Sequence, residues 1–91
     1  MTGDDVRVWL NARTPAPPDA LRERLHRAVA DMLPAPGSVL PMYLAQLGRA
    51  LLEQVTARPD GGRELALDLL AADAFATYAF EAQAEAGGIT T

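Results

Sequence analysis

The sequence lacks most of the side chains on which enzyme chemistry depends. It contains no cysteine and no lysine, and its only histidine and only serine are His26 and Ser38. Without thiols there is no disulfide bond, no thiolate nucleophile and no cysteine-based zinc or iron–sulfur site. One histidine leaves too few ligands for a zinc site, and Ser38 stands where a helix cap is expected. We therefore expect a non-enzymatic protein with no catalytic residue, no metal site and no cofactor.

Long apolar runs and an excess of positive charge are also missing. No apolar run approaches the ~20 residues that cross a bilayer, and the first residues, Met1 to Asp5, lack the basic and apolar regions of a secretory signal. The net charge of −4 arises in residues 34–91, where three arginines stand against seven acids. Nucleic-acid binding requires the opposite sign. These features predict an acidic, cytoplasmic protein that binds no membrane and does not have nucleic acid as its main partner.

What the chain does contain is apolar residues at helical spacing, interrupted by proline and glycine. Eighteen alanines favour helix but bury little apolar area. The pattern predicts an all-α fold in one domain, residues 1–91, built as an up-down bundle of three main helices with a short N-terminal helix packed across it. The predicted segments are a short helix over about 4–13, a proline-rich linker over 14–18, and main helices over about 18–33, 38–57 and 62–86.

Residues at the predicted helix starts carry specific expectations. Thr2, Asp4 and Asp5 are suitable caps for the short first helix. Pro18 fits the first helical position of the second helix, because a proline there loses no hydrogen bond. Ser38 is expected to cap the third helix with its side-chain oxygen.

Trp9 and Gly48 indicate how the helices meet. Trp9, the only tryptophan, is expected to anchor the N-terminal helix on the rest of the chain, with contact to a partner as the alternative. Gly48 lies inside the predicted third helix, where glycine costs about 1 kcal/mol relative to alanine. It indicates either the close approach of another backbone or an exposed glycine that the helix tolerates.

The last predicted helix is apolar nearly all round. One face carries Leu65, Leu69, Ala72, Ala76, Ala79 and Phe80. Most of the remaining circumference carries Leu67, Leu70, Ala71, Ala74, Phe75 and Tyr78. Such a helix is usually covered on two sides, so the side opposite the bundle requires either the N-terminal segment or a second protein molecule. Asp68 and Asp73 are expected to face solvent or the arginine of a partner.

This pattern predicts a small helical protein–protein interaction module. We expect it to self-associate, as a homodimer, or to dock on a larger partner through its last helix. A contact surface of this kind requires apolar and aromatic side chains that a second molecule covers. The expected partner-binding residues are Leu67, Phe75, Tyr78 and Trp9.

Two other functions remain open from the sequence. The first is a small carrier or sensor that encloses an apolar ligand between its helices. Its expected walls are Met32, Met42, Tyr43 and Phe80. The second, weaker alternative is a DNA-associated regulator that places a basic cluster on phosphates. That cluster consists of Arg22, Arg24 and Arg27, and it is diluted by Glu23.

Overall fold

The protein is all-α, as the sequence predicts. The computed structural model describes residues 1–58 and 62–87. They form four helices: α1 (Gly3–Asn11), α2 (Asp19–Asp31), α3 (Leu40–Ala57) and α4 (Arg63–Ala86). Each helix lies where a helix was expected, and its ends differ from the predicted ones by no more than two residues. The sequence also predicts a turn over residues 58–62, from its proline and glycines, and an end of the last helix at Gly87 and Gly88; of these residues, 59–61 and Gly88 lie outside the described ones.

The start of α1 shows the expected caps. The side-chain oxygen of Thr2 accepts the backbone N–H of Asp5 at 3.2 Å, and the Asp5 carboxylate accepts the backbone N–H of Thr2 at 2.9 Å. This reciprocal pair is a capping box, which satisfies two donors at a helix start. The hydrogen bonds from the Thr2 backbone and side chain lower the pKa of the Asp5 carboxyl. The assignment of Thr2 and Asp5 as caps is confirmed.

Two other helix starts differ from the sequence prediction. Pro18 precedes the first helical residue of α2 and is extended, with φ −56° and ψ 154°, so its assignment to the first helical position was wrong. Ser38 does not cap α3, because Val39 occupies the cap position and no side chain caps this helix. The Ser38 backbone N–H instead donates to the Ala35 carbonyl at 3.0 Å, in a turn where Gly37 has a φ of 83°. After this turn α3 begins at Leu40, one residue later than a cap at Ser38 requires.

The closest packing in the molecule is between α3 and α4, which run antiparallel. A Cβ atom at Gly48 would lie 3.2 Å from the Ala72 carbonyl oxygen and 3.4 Å from the Phe75 Cβ atom. Gly48 therefore marks a close backbone approach, which is the first of the two alternatives that its position in the helix left open. Around this contact lies a single cluster of buried side chains from all four helices. Its largest fully buried members are Tyr43, Phe75, Leu25, Leu44, Leu47, Val6 and Val29.

The close approach at Gly48 gives a testable expectation. Gly48→Leu should lower the free energy of unfolding by about 1–3 kcal/mol, because overpacking against the α4 backbone outweighs the gain in helix propensity. Gln46→Leu is the matched control, since Gln46 is exposed on the same helix, and it should change stability by no more than about 0.5 kcal/mol. Urea unfolding followed by circular dichroism measures both. Equal effects of the two substitutions would contradict the close approach.

Candidate functional site

An apolar groove runs between α3 and α4 and is lined by residues of these two helices only. It has a volume of about 700 Å³. Four large apolar side chains border it, each exposed by 44% or more: Met42, Leu52, Leu69 and Phe80. Phe80 is the most exposed of them, at 79%. We call this feature the outer groove.

Small residues form the floor of the outer groove. Gly48 on α3 meets the backbone of α4 at Ala72 and Ala76, and all three residues line the groove. Because no large side chain fills the surface at this crossing, the two helices approach closely and the surface is recessed there. The larger side chains on either side of the crossing then form the rim. The alanine-rich sequence of α4 thus accounts for the shape of the groove.

The outer groove contains one positive and one negative side chain at the same level. Arg49 lies on α3 next to Gly48, and Asp73 lies on α4 next to Ala72. Both are exposed, and neither forms a salt bridge with another of the described residues. Gln83 is a third polar residue, at one end. The groove therefore presents apolar surface with two opposite charges at its middle.

The residues expected to bind a partner do not lie on this groove. Phe75 is fully buried in the core, with 0% exposure, so it has no surface that a partner can contact. Leu67 is half-buried. Trp9 and Tyr78 are also half-buried and pack against each other edge to face, with ring centroids 5.9 Å apart. One exposed apolar face of α4 carries Leu69 and Phe80 and lines the groove, whereas Leu70, which is 57% exposed, lies outside it.

Trp9 anchors α1 on the C-terminal end of α4, and this expectation is confirmed. Its ring N–H donates to the Glu85 carboxylate at 3.0 Å, and the Arg13 guanidinium stacks over its ring at 3.7 Å from the centroid. Arg13 also donates to Glu85 at 2.8 Å. The hydrogen bonds from Arg13 and Trp9 lower the pKa of the Glu85 carboxyl. The N-terminal segment thus covers one side of α4 and leaves the outer groove open.

Asp68 corrects the expectation that it would face solvent or a partner. Only 6% of it is exposed, and its carboxylate accepts a hydrogen bond from Arg24 at 2.6 Å and another from Arg58. Both arginines belong to the same chain. Arg24 itself is buried. Arg22 lies on the surface of α2, where it pairs with Asp19 at 3.1 Å. The basic cluster weighed for DNA binding does not form one exposed surface.

The four side chains considered as walls of a ligand cavity also lie apart. Tyr43 is 2% exposed, and its hydroxyl donates to the Met32 carbonyl at 2.6 Å, inside the bundle. Met42 and Phe80 lie on the outer groove instead. These residues do not surround one enclosed space. The apolar volume is at the surface, between α3 and α4.

His26 lies in a second, smaller pocket that shares no residue with the outer groove. Its Nε2 atom is 3.1 Å from the Asn11 side-chain oxygen. Burial, followed by the charges of Arg7 and Arg22, lowers the pKa of His26.

Within residues 1–58 and 62–87, no group of three or more histidine, cysteine, aspartate or glutamate side chains is placed to hold a metal ion. None of the four helices in the described residues is long and apolar enough to span a membrane.

The chain matches no protein-family model, no curated protein and no solved structure.

Proposed function

We propose that this protein is a non-enzymatic protein–protein interaction module that receives the apolar face of α-helices in its outer groove. The observation that carries this proposal is the exposure of four large apolar side chains around a floor of small residues. A contiguous apolar patch of this kind is uncommon on the free surface of a monomeric protein and marks a contact site. Covering it removes apolar surface from water, which is the main driving force of association.

The shape of the groove favours a helix as the occupant. The groove follows two antiparallel helices, and α3, with 18 residues, is about 27 Å long. A helix that lies along such a groove places side chains at three- and four-residue steps into it. The floor at Gly48 consists of small residues, so the recess there leaves room for side chains of the partner's helices.

A small apolar ligand is the second occupant to weigh. The volume of about 700 Å³ lies within the range of ligand pockets. Such pockets, however, bury about 70–90% of the ligand surface, whereas this groove is open along its length and Phe80 is 79% exposed. The open shape favours a protein partner, which covers the rim as well as the floor.

Photo-crosslinking inside expressing cells tests the proposal. p-Benzoylphenylalanine is placed at Met42, in the outer groove, and in a separate variant at Val8, which is exposed on α1 and outside the groove. We expect illumination to join the Met42 variant to one defined protein, identified by mass spectrometry, with no such product from the Val8 variant. Adding Phe80→Glu should abolish the product, because a carboxylate on the rim cannot be desolvated without a partner charge.

Binding between the purified proteins is then measured directly. The protein recovered from cells should bind the purified chain directly, and Phe80→Glu should weaken that binding at least about tenfold, whereas Val8→Glu should not. The product is either a second copy of this chain or a different protein, and each of these supports a docking function. Equal products from Met42 and Val8, or no product from Met42, would overturn the proposal.

A further inference from the structure

We infer that the occupant of the outer groove is a second copy of this chain, in a two-fold dimer in which α3 of each copy faces α4 of the other. This inference rests on the proposed docking function and names its partner. The order of residues along the groove, its charges and its size carry the inference.

The two sides of the groove match each other in order. Arg49 and Asp73 are at the same level, because both adjoin the contact of Gly48 with α4. Met42 lies seven residues before Arg49, and Phe80 lies seven residues after Asp73. Since α3 and α4 are antiparallel and rise 1.5 Å per residue, both are about 10 Å from the middle of the groove, toward the same end.

The other end of the groove shows the same match. Leu52 lies three residues after Arg49, and Leu69 lies four residues before Asp73, so the two leucines are about 4.5 Å and about 6 Å from the middle. A two-fold axis parallel to the groove leaves the position of each residue along the groove unchanged. It places α3 of one copy opposite α4 of the other. Each of the four large apolar residues then faces an apolar residue of the other copy, and each of the two charged residues faces one of opposite charge. Phe80 faces Met42 of the partner subunit, and Leu69 faces Leu52 of the partner subunit.

The charges select this arrangement over the other two-fold arrangement. With the axis along the groove, Arg49 of each copy faces Asp73 of the partner subunit, which gives two ion pairs. With the axis across the groove, α3 faces α3, so Arg49 meets Arg49 and Asp73 meets Asp73. Like charges at an interface are strongly unfavourable. The groove is therefore complementary to its own copy in only one of the two orientations.

The size of the face fits a dimer interface. α3 is about 27 Å long and lies beside the longer α4, so together they present a face about 27 Å long and 20 Å wide, which is roughly 500 Å² in projection. The accessible surface of such a ridged face exceeds its projection, so it is comparable with the ~800 Å² per partner of a standard interface. The groove contains no net charge, and a partner with a strong charge of either sign has no matching surface here.

Charge reversal tests this dimer. Arg49→Asp places four acidic groups in the homodimer interface, and Asp73→Arg places four arginines there. Each single variant is expected to raise the dimer dissociation constant at least about tenfold relative to the original chain. An equimolar mixture of the two variants should form a heterodimer. In it the carboxylate introduced at position 49 of one copy faces the guanidinium introduced at position 73 of the other, and the unchanged Asp73 faces the unchanged Arg49. Light scattering on a sizing column, from micromolar to submillimolar concentration, measures the masses.

Mixing the two variants distinguishes an ion pair between two copies from an ion pair within one chain. A pair formed only inside one chain is rescued when both substitutions are in the same chain, but mixing the two variants does not restore it. Circular dichroism checks that each variant keeps its helices, which is expected because both side chains are exposed and unpaired among the described residues. Gln46→Arg, on an exposed part of α3 outside the groove, is the matched control and should leave the mass unchanged.

Three results would overturn the inference. They are a monomer at every concentration for the original chain, a dimer that neither single variant weakens, and weakened single variants that the mixture does not restore. If the original chain is a monomer while the crosslink at Met42 joins it to another protein, the second copy is excluded and the docking function stands. If neither association occurs, both proposals fail.

Discussion

Asp68→Asn is expected to lower the free energy of unfolding by about 3–5 kcal/mol, because it removes the negative charge that lies between two arginines. Arg24 is 7% exposed and its guanidinium donates to the Asp68 carboxylate at 2.6 Å, so the substitution leaves a buried positive charge without this counterion. Arg58 loses the same partner but is partly exposed, so water compensates its charge in part. The effect is large because the charge that remains is on the buried arginine.

Asp73→Asn is the matched control for this substitution. Asp73 is on the same helix, five residues later, and is exposed without an ion pair among the described residues. Its replacement should change stability by no more than about 0.5 kcal/mol when measured in dilute solution. Urea unfolding followed by circular dichroism compares the two. Similar effects at Asp68 and Asp73 would show that the buried ion pairs do not contribute as described.

The same cluster makes stability depend on pH. Burial raises the pKa of the Asp68 carboxyl. The hydrogen bonds and charges of Arg24 and Arg58 lower this pKa by more than burial raises it, so the pKa in the folded protein is below its ordinary value. Stability from this group is therefore fully present above the unfolded-state pKa of about 3.9 and is lost as the pH falls through the folded-state pKa. The original chain should lose more stability in acid than Asp68→Asn does. Urea unfolding at a series of pH values measures the difference.

The sequence predicts the helices better than it predicts which side of α4 faces the core. The helices follow from apolar spacing and from proline and glycine, which act over a few residues. Phe75 and Phe80 are both on an apolar circumference, so hydrophobicity alone does not distinguish the buried one from the exposed one. The close contact of Gly48 with α4 does distinguish them, because it fixes the rotation of α4 against α3.

The buried ion pairs are another feature that local patterns do not reveal. Asp68 lies 44 residues from Arg24 in the sequence, and its neighbour Glu64, four residues earlier, is typical of a solvated acidic face. Burial of an acid becomes visible only when the packing of α2 on α4 is known. The Trp9 anchor was predictable for the opposite reason, because a single large indole in a short helix has few other roles. Its partner Glu85, however, is known only from the structure.

Phe75→Ala should weaken folding, whereas Phe80→Ala should weaken association and leave folding nearly unchanged. Phe75 is 0% exposed in the core, so its truncation should lower the free energy of unfolding by about 3–5 kcal/mol. Phe80 is 79% exposed, so its truncation should change the stability of the monomer by no more than about 0.5 kcal/mol. The pair is well matched, because the same side chain is shortened in the same way at two positions of one helix.

Measuring both variants over a range of protein concentrations separates the two roles. Association stabilises the folded state by mass action, so the unfolding midpoint of the original chain should rise with protein concentration. Phe80→Ala should remove most of that dependence, whereas Phe75→Ala should lower the midpoint at every concentration. A Phe80→Ala variant that is as unstable as Phe75→Ala, even when dilute, would mean that Phe80 is part of the core. In that case the outer groove is not a free surface, and neither a helix nor a second copy has room to bind there.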